Sequence, residues 1–220
     1  MNREELSKIA KPILFSTPMV QAILEGRKAV TRRIIKPQPN NIKMLNGVFS
    51  TGLLKIFYDP DRVINIKAPY EVGDILYVRE KFNDEETDSV LYAADKEFTD
   101  FGMKEVDGYM FVESEVRWKP SIHMPKEVAR IFLKVTDVRV ERVQDITEEQ
   151  ALKEGCKGYE CYCKGMAYAC TDCYNTGWLE SPKSYFMNLW NSTIKKKDLD
   201  KYGWEANPWV WVIEFERVKV

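Results

Sequence analysis

Thr17-Pro18-Met19-Val20-Gln21-Ala22-Ile23-Leu24-Glu25-Gly26-Arg27-Lys28-Ala29-Val30-Thr31-Arg32-Arg33 reads as a short helix stopped by a glycine and followed by a basic loop. Thr17 can accept the first free backbone amides, and Pro18 suits the first helical position because its missing N–H would be unpaired there anyway. Met19, Val20, Ile23 and Leu24 form an apolar stripe at spacings of three and four, and Gly26 can take the left-handed conformation that ends the helix. Arg27, Lys28, Arg32 and Arg33 then crowd one turn of chain. One or two cations would complement the negative end of the helix dipole, an effect of about 0.3–1 kcal/mol. Four leave a surplus, which either faces solvent or meets an anionic or polar ligand.

Outward from this stretch, the apolar run at 12–16 fits a buried strand leading into the helix. Residues 34–36 read as a second strand, closed by Pro37 and Pro39, which lack the ladder donor. Residues 38–67 form an insertion built around a hairpin, and 95–115 form a second, charged excursion. Gly73-Asp74 is a turn signal before a strand at 75–78. The longest strand signal is 128–140, with a bend near Thr136-Asp137. Thr147 caps a helix in which Gln150 completes a capping box and Gly155 ends the run. Ser181-Pro182 opens another helix that places Tyr185, Phe186, Leu189 and Trp190 on one face, and 210–218 is a terminal strand. Short strands with few helices between them predict an α+β fold, a single domain built on a small β-barrel with flanking helices and inserted loops.

The composition limits the function. The chain has 220 residues, is 45% hydrophobic and carries 33 Lys+Arg against 34 Asp+Glu, a net charge of -1, so any affinity for nucleic acid must come from a local patch. No apolar run approaches the roughly 20 residues that span a bilayer. The polar start Met1-Asn2-Arg3-Glu4-Glu5 lacks the form of a signal peptide, so a soluble cytoplasmic protein without a membrane partner is expected. Of five cysteines, Cys161, Cys163, Cys170 and Cys173 are packed into one short segment, which points to a metal site in a reducing compartment over a secreted disulfide framework. Two close pairs of thiolates can hold one structural zinc tetrahedrally and fold the loop at 156–178. The first pair has one intervening residue where two are usual, so Cys156 could replace Cys161 or Cys163; four unmetalled thiols are the alternative.

The Gly26-Arg27-Lys28 turn followed by Thr31 resembles the signature loop of the ASCH domains, relatives of the PUA RNA-binding domain. The likeness continues at Gly73-Asp74-Ile75-Leu76-Tyr77-Val78, at Val135-Thr136-Asp137-Val138 and at Ile146-Thr147-Glu148-Glu149-Gln150-Ala151-Leu152-Lys153-Glu154-Gly155. Trp118-Lys119-Pro120-Ser121-Ile122-His123-Met124-Pro125 and Asn207-Pro208-Trp209-Val210-Trp211 resemble the larger, phage- and prophage-type members. The resemblance implies a PUA-like barrel and RNA or a nucleoside as partner. One small bacterial member hydrolyses N(4)-acetylcytidine, releasing acetate, with a lysine, a threonine and a glutamate as its proposed catalytic group. Matched motif to motif, these fall on Lys28, Thr31 and Glu154.

That chemistry makes demands on the residues. A free lysine titrates near about 10.4 and must be lowered to act as nucleophile or base, which burial and the cations Arg27 and Arg32 would favour. Thr31 could donate to the developing oxyanion, while Glu154 would position Lys28 or a water. The alternative is an ion pair between Lys28 and Glu154 that only ties loop to helix. Arg27, Arg32, Arg33 and His123 are the candidate ligand contacts, although a histidine such as His123, alone among apolar neighbours and prolines, is more often a structural residue. Three functional readings follow: a nucleoside, nucleotide or RNA-base binder that acts as an amidohydrolase, a non-catalytic RNA-binding module, and a ribonuclease working with Lys28 and Glu154.

Overall fold

The computed structural model describes residues 2–39, 41–42, 53–59, 62–85, 90–95, 103–106, 109–112, 116–160 and 178–219. The chain begins with α1 (Arg3–Ile9), β1 (Lys11–Leu14), α2 (Thr17–Leu24) and β2 (Val30–Ile34), then β3 (Asn41–Ile42), β4 (Leu53–Asp59) and β5 (Arg62–Lys67). Next come β6 (Ile75–Arg79), β7 (Phe82–Asn83), β8 (Leu91–Tyr92), β9 (Met103–Val106) and β10 (Tyr109–Val112). The last part carries β11 (Phe132–Arg142), α3 (Glu148–Lys153), β12 (Tyr159–Glu160), β13 (Trp178–Glu180), α4 (Pro182–Thr193), α5 (Leu199–Tyr202) and β14 (Trp209–Val218). The architecture is α+β, and its largest sheet is mixed, with strand order β1-β6-β11-β14-β2. No helix among the described residues is long and apolar enough to cross a membrane.

The residues group into two compact units. One holds Met1–Gly26, Gly73–Val135 and Glu216–Val220. In it β1 runs parallel to β6 (Ile13↔Val78) and β6 antiparallel to the start of β11 (Leu133↔Leu76). α1 is fixed by a capping box between Asn2 and Glu5 and turns Leu6 into a core with Ala10, Phe82, Met124, Ala129 and Phe132. Buried among these elements, Glu80 receives a two-pronged bond from Arg130, Nε to Oε1 and Nη2 to Oε2 at 3.0 Å each. The Arg130 guanidinium lies 3.8 Å from the Tyr92 ring centroid and also bonds Asp95. Burial holds the Glu80 carboxyl above its ordinary value although Arg130 pulls it down.

The other unit holds Arg27–Val72 and Thr136–Phe215. Here β2 runs antiparallel to β14, with Thr31↔Ile213 and Arg33↔Trp211, and β3, β4 and β5 form a separate antiparallel sheet. The latter is the hairpin expected of the insertion at 38–67. Val30, Val143, Ile146, Ala151, Cys156, Val210 and Val212 pack against the aromatic face of α4, Phe186 and Trp190, together with Trp204. Ser181 caps α4 by accepting from the Ser184 amide, with Pro182 in its first turn.

Several sequence expectations shift by a few residues, for local reasons. The N-cap of α2 is Ser16, not Thr17, which is already helical. The basic segment is not one turn of loop: Arg32 and Arg33 extend along β2, because the β-branched run Val30-Thr31 with Ile34 and Ile35 favours the ladder with β14. The longest strand starts at Phe132, since 126–128 form a single 3-10 turn after Pro125. Across Thr136-Asp137 its buried positions change from Leu133 and Val135 to Val138 and Val140, a switch of parity at the place where the sequence puts the bend.

Candidate functional site: a buried Lys28–Glu154–Arg32 centre

The site is built where α3 ends. Thr147 and Gln150 close the capping box at the start of this helix, and Glu154 caps its other end before Gly155 turns the chain at φ +92°, a conformation that favours glycine. The segment entering β2 is stitched against this end: the Ala29 amide donates to the Lys153 carbonyl at 2.8 Å, and Lys28 and Glu154 form an isolated antiparallel bridge. On the other side the Phe215 amide donates to the Ala29 carbonyl. Arg27 and Lys28, read from the sequence as the trailing end of α2, thus serve as cationic partners for the last carbonyls of α3. Arg27 Nη1 donates to the Gly155 carbonyl at 2.8 Å, and Lys28 Nζ to the Glu154 carbonyl at 2.9 Å.

Lys28 is buried, its side chain 0% exposed. Its ammonium has three hydrogens and three acceptors: the Val30 carbonyl at 2.8 Å, the Glu154 carbonyl and Glu154 Oε2 at 2.7 Å. The second oxygen of that carboxylate accepts from Arg32 Nη1 at 3.1 Å, so Glu154 is shared between two cations. Arg32 Nη2 reaches Gln150 Oε1 at 2.9 Å and Glu141 Oε2 at 3.3 Å, and its guanidinium carbon lies 5.7 Å from the Phe186 ring centroid. Its Nε is buried and has no hydrogen-bond partner among the described residues. Glu141 carries the chain of pairs on to Arg139, which also binds Asp137 and Glu214. Burial opposes the charge of Arg139, but the hydrogen bonds it donates to Glu141, Asp137 and Glu214 outweigh it and hold the group above its ordinary value.

The network is balanced at its centre, Lys28 and Arg32 against Glu154 and Glu141. Such a balance is what makes burial of four charges tolerable, since each alone would cost several kcal/mol of desolvation. Arg33 is driven below its ordinary value by burial, with Tyr70 and Glu154 pulling the other way.

Of the residues named from the sequence, Lys28, Arg32 and Glu154 are brought into direct contact. Thr31 is buried one position before Arg32, and strand alternation turns its side chain to the opposite face of β2. His123 belongs to the other unit, where it is exposed in the single 3-10 turn Ser121–His123. Cys161, Cys163, Cys170 and Cys173 lie outside the described residues. Cys156 sits in the aromatic core, 2% exposed, and its thiol is pushed up to about 12 by burial, then by Glu154, against the opposing pull of Lys28, Arg32 and Arg27. A thiol so placed is a core side chain and a poor metal ligand. The sequence reading missed Glu141, Arg139 and Gln150. The alternation Asp137-x-Arg139-x-Glu141 along a strand was the available signal, and Gln150 was read as a cap alone although it also holds Arg32.

No family model matches the chain, no curated protein matches it, and no solved structure matches it.

Proposed function

We propose that this chain is an ASCH-type protein with a PUA-like barrel, which binds a nucleoside, a nucleotide or an RNA base where the 27–33 segment meets the Glu154 turn. One observation supports the reading: Lys28 and Glu154, taken from two motifs 126 positions apart that the resemblance pairs, stand 2.7 Å apart. The reaction that goes with it is hydrolysis of an acyl-amide on the base, as in N(4)-acetylcytidine. Water adds to the acyl carbon and passes a proton to Glu154, the Lys28 ammonium faces the developing oxyanion, and the nitrogen leaves with a proton as the free amino group while acetate is released. Because β2 turns Thr31 away from Arg32, the oxyanion contact falls to Lys28 in its place. The centre is covered, so turnover requires the Arg27 side of the segment to open and admit substrate.

A second reading keeps the binding and drops the chemistry, and the complete pairing of the Lys28 ammonium favours it. In that case the buried pair ties segment to helix, and RNA is held by cations at its rim, Arg27 and Arg33. Incubation with N(4)-acetylcytidine separates the two: release of cytidine and acetate that Lys28→Met abolishes supports the hydrolase. The hydrolase fails if there is no turnover, or if Lys28→Met turns over equally. The binding reading then predicts an RNA affinity that falls with salt and weakens in Arg33→Gln. Zinc on Cys161, Cys163, Cys170 and Cys173, as a structural ion folding the 156–178 loop, completes the proposal.

A further inference from the structure

The two cations that share Glu154 differ in how completely they are paired. Lys28 has an acceptor for each of its three hydrogens, so a ligand oxygen gains a bond from it only by displacing one already made. Arg32, 5% exposed, donates from Nη1 to Glu154 Oε1 and from Nη2 to Gln150 Oε1 and Glu141 Oε2. Its Nε is buried without a hydrogen-bond partner among the described residues. A buried donor left unpaired is costly, more so on a charged group, and calls for an acceptor.

The guanidinium is held in this state from several directions. Glu154 and Gln150 come from the two ends of α3, Glu141 from β11, and the Phe186 ring of α4 lies 5.7 Å from the guanidinium carbon. Gln150 is itself fixed, since its Oε1 also accepts from the Thr147 amide at 3.2 Å. In a planar fork, turning Nε toward any of these acceptors breaks a bond at Nη1 or Nη2. The unpaired donor therefore stands one guanidinium carbon away from the Nη1 that touches Glu154 Oε1 at 3.1 Å, next to the carboxylate that takes the proton of water in the hydrolase reading.

We propose that Arg32 is a catalytic residue of that reaction: its Nε donates to the acyl oxygen of the substrate and completes, with Lys28, a two-donor oxyanion site. The inference rests on the hydrolase reading and adds a residue to it. The oxygen of water bonds the acyl carbon as one proton passes to Glu154, and the C=O electron pair becomes the oxyanion that Lys28 and Arg32 face. The pair returns as the C–N bond breaks, and the nitrogen leaves with the proton from Glu154. The Arg32 contact forms with the neutral acyl oxygen and strengthens as negative charge develops, so it stabilises the transition state more than the bound substrate.

Two measurements on the full chain test it. In nitrogen-15-labelled parent protein the Arg32 Nε–H resonance, assigned through its own side-chain carbons, is followed during titration with cytidine and with a stable analogue of N(4)-acetylcytidine in which a methylene replaces the amide N–H. The proton should move downfield with the analogue, which keeps the acyl oxygen, and stay in place with cytidine, which lacks it. A side chain that only supports Glu154, or whose Nε is met by an internal water, would not follow the acyl group. In steady-state hydrolysis of N(4)-acetylcytidine, Arg32→Lys keeps the charge and loses the fork, and should lower kcat about 10²–10³-fold, the cost of one oxyanion donor, with KM changed far less. Parent turnover with a resonance blind to the acyl group, or with Arg32→Lys as fast as the parent, overturns the inference and leaves the hydrolase standing. If the parent turns nothing over, the hydrolase fails and the resonance decides alone: a shift specific to the analogue keeps Arg32 as the acyl-oxygen contact of a binding site, and no shift removes it.

Discussion

Removing one charge from the Lys28–Glu154–Arg32 centre should cost more than a typical core substitution, and the side from which it is removed should matter. Lys28→Met keeps the volume of the stem, loses three hydrogen bonds, and leaves Glu154 with Arg32 at 3.1 Å as its remaining partner. Glu154→Gln takes the carboxylate from two cations whose side chains are 0% and 1% exposed: Lys28 loses its ion pair, and Arg32 keeps Glu141 at 3.3 Å, which Arg139 already shares. Breaking a buried pair by removing one partner typically costs about 3–5 kcal/mol. Lys28→Met therefore belongs near the lower end and Glu154→Gln near the upper. At about 2–4 °C per kcal/mol for a chain of this size, the first should melt about 6–12 °C below the parent. In the double variant the losses should fall short of their sum by about 0.5–3 kcal/mol, because the two groups share one interaction. Urea unfolding of the four proteins, with slopes held equal, measures all of this. A Lys28→Met protein within about 0.5 kcal/mol of the parent, or strictly additive losses, would refute the reasoning.

Three further outcomes follow from other groups. Arg130→Met strips the buried Glu80 carboxylate of its fork and should destabilise the chain by about 3 kcal/mol at neutral pH. A carboxyl raised in the folded state loses its penalty as pH falls, so that deficit should shrink toward about pH 5; a deficit that grows instead would contradict the assignment. Cys156, pushed up to about 12, stays protonated in the folded chain while an unfolded thiol ionises near about 8.5. Its contribution is intact below that value and declines by at most about 1.4 kcal/mol per pH unit above it, and native Cys156 should resist iodoacetamide until urea is added. Elemental analysis should find about one zinc per chain, with a strong chelator lowering the melting temperature; metal-free protein of unchanged stability would end the zinc proposal.

Much of the local structure is legible because it depends on neighbours in sequence. The Thr147–Gln150 capping box, the stop at Gly155, the Ser181-Pro182 start of α4 and the strand after Gly73-Asp74 all follow from residues within a few positions. The parity switch at Thr136-Asp137 was visible as a break in an apolar pattern. What the sequence hides is partner choice at long range. That Arg27 and Lys28 would close the end of α3, not of α2, depends on a ladder between β2 and β14 that no local pattern encodes. The same holds for Arg32, which charge statistics place at the surface and which the structure buries against Phe186, Gln150 and two carboxylates. Glu80 and Arg130 are likewise unremarkable in sequence and joined only by folding.

Proton exchange at the Lys28 amine, followed by nitrogen-15 lysine NMR at neutral pH, tests the central claim most directly. An ammonium whose three hydrogens are all held inside the protein exchanges slowly, so Lys28 should give a resolved Nζ resonance that Glu154→Gln shifts, while the exposed Lys195, Lys196 and Lys197 give none. A Lys28 signal lost to rapid exchange like theirs, or one indifferent to Glu154→Gln, would contradict the account.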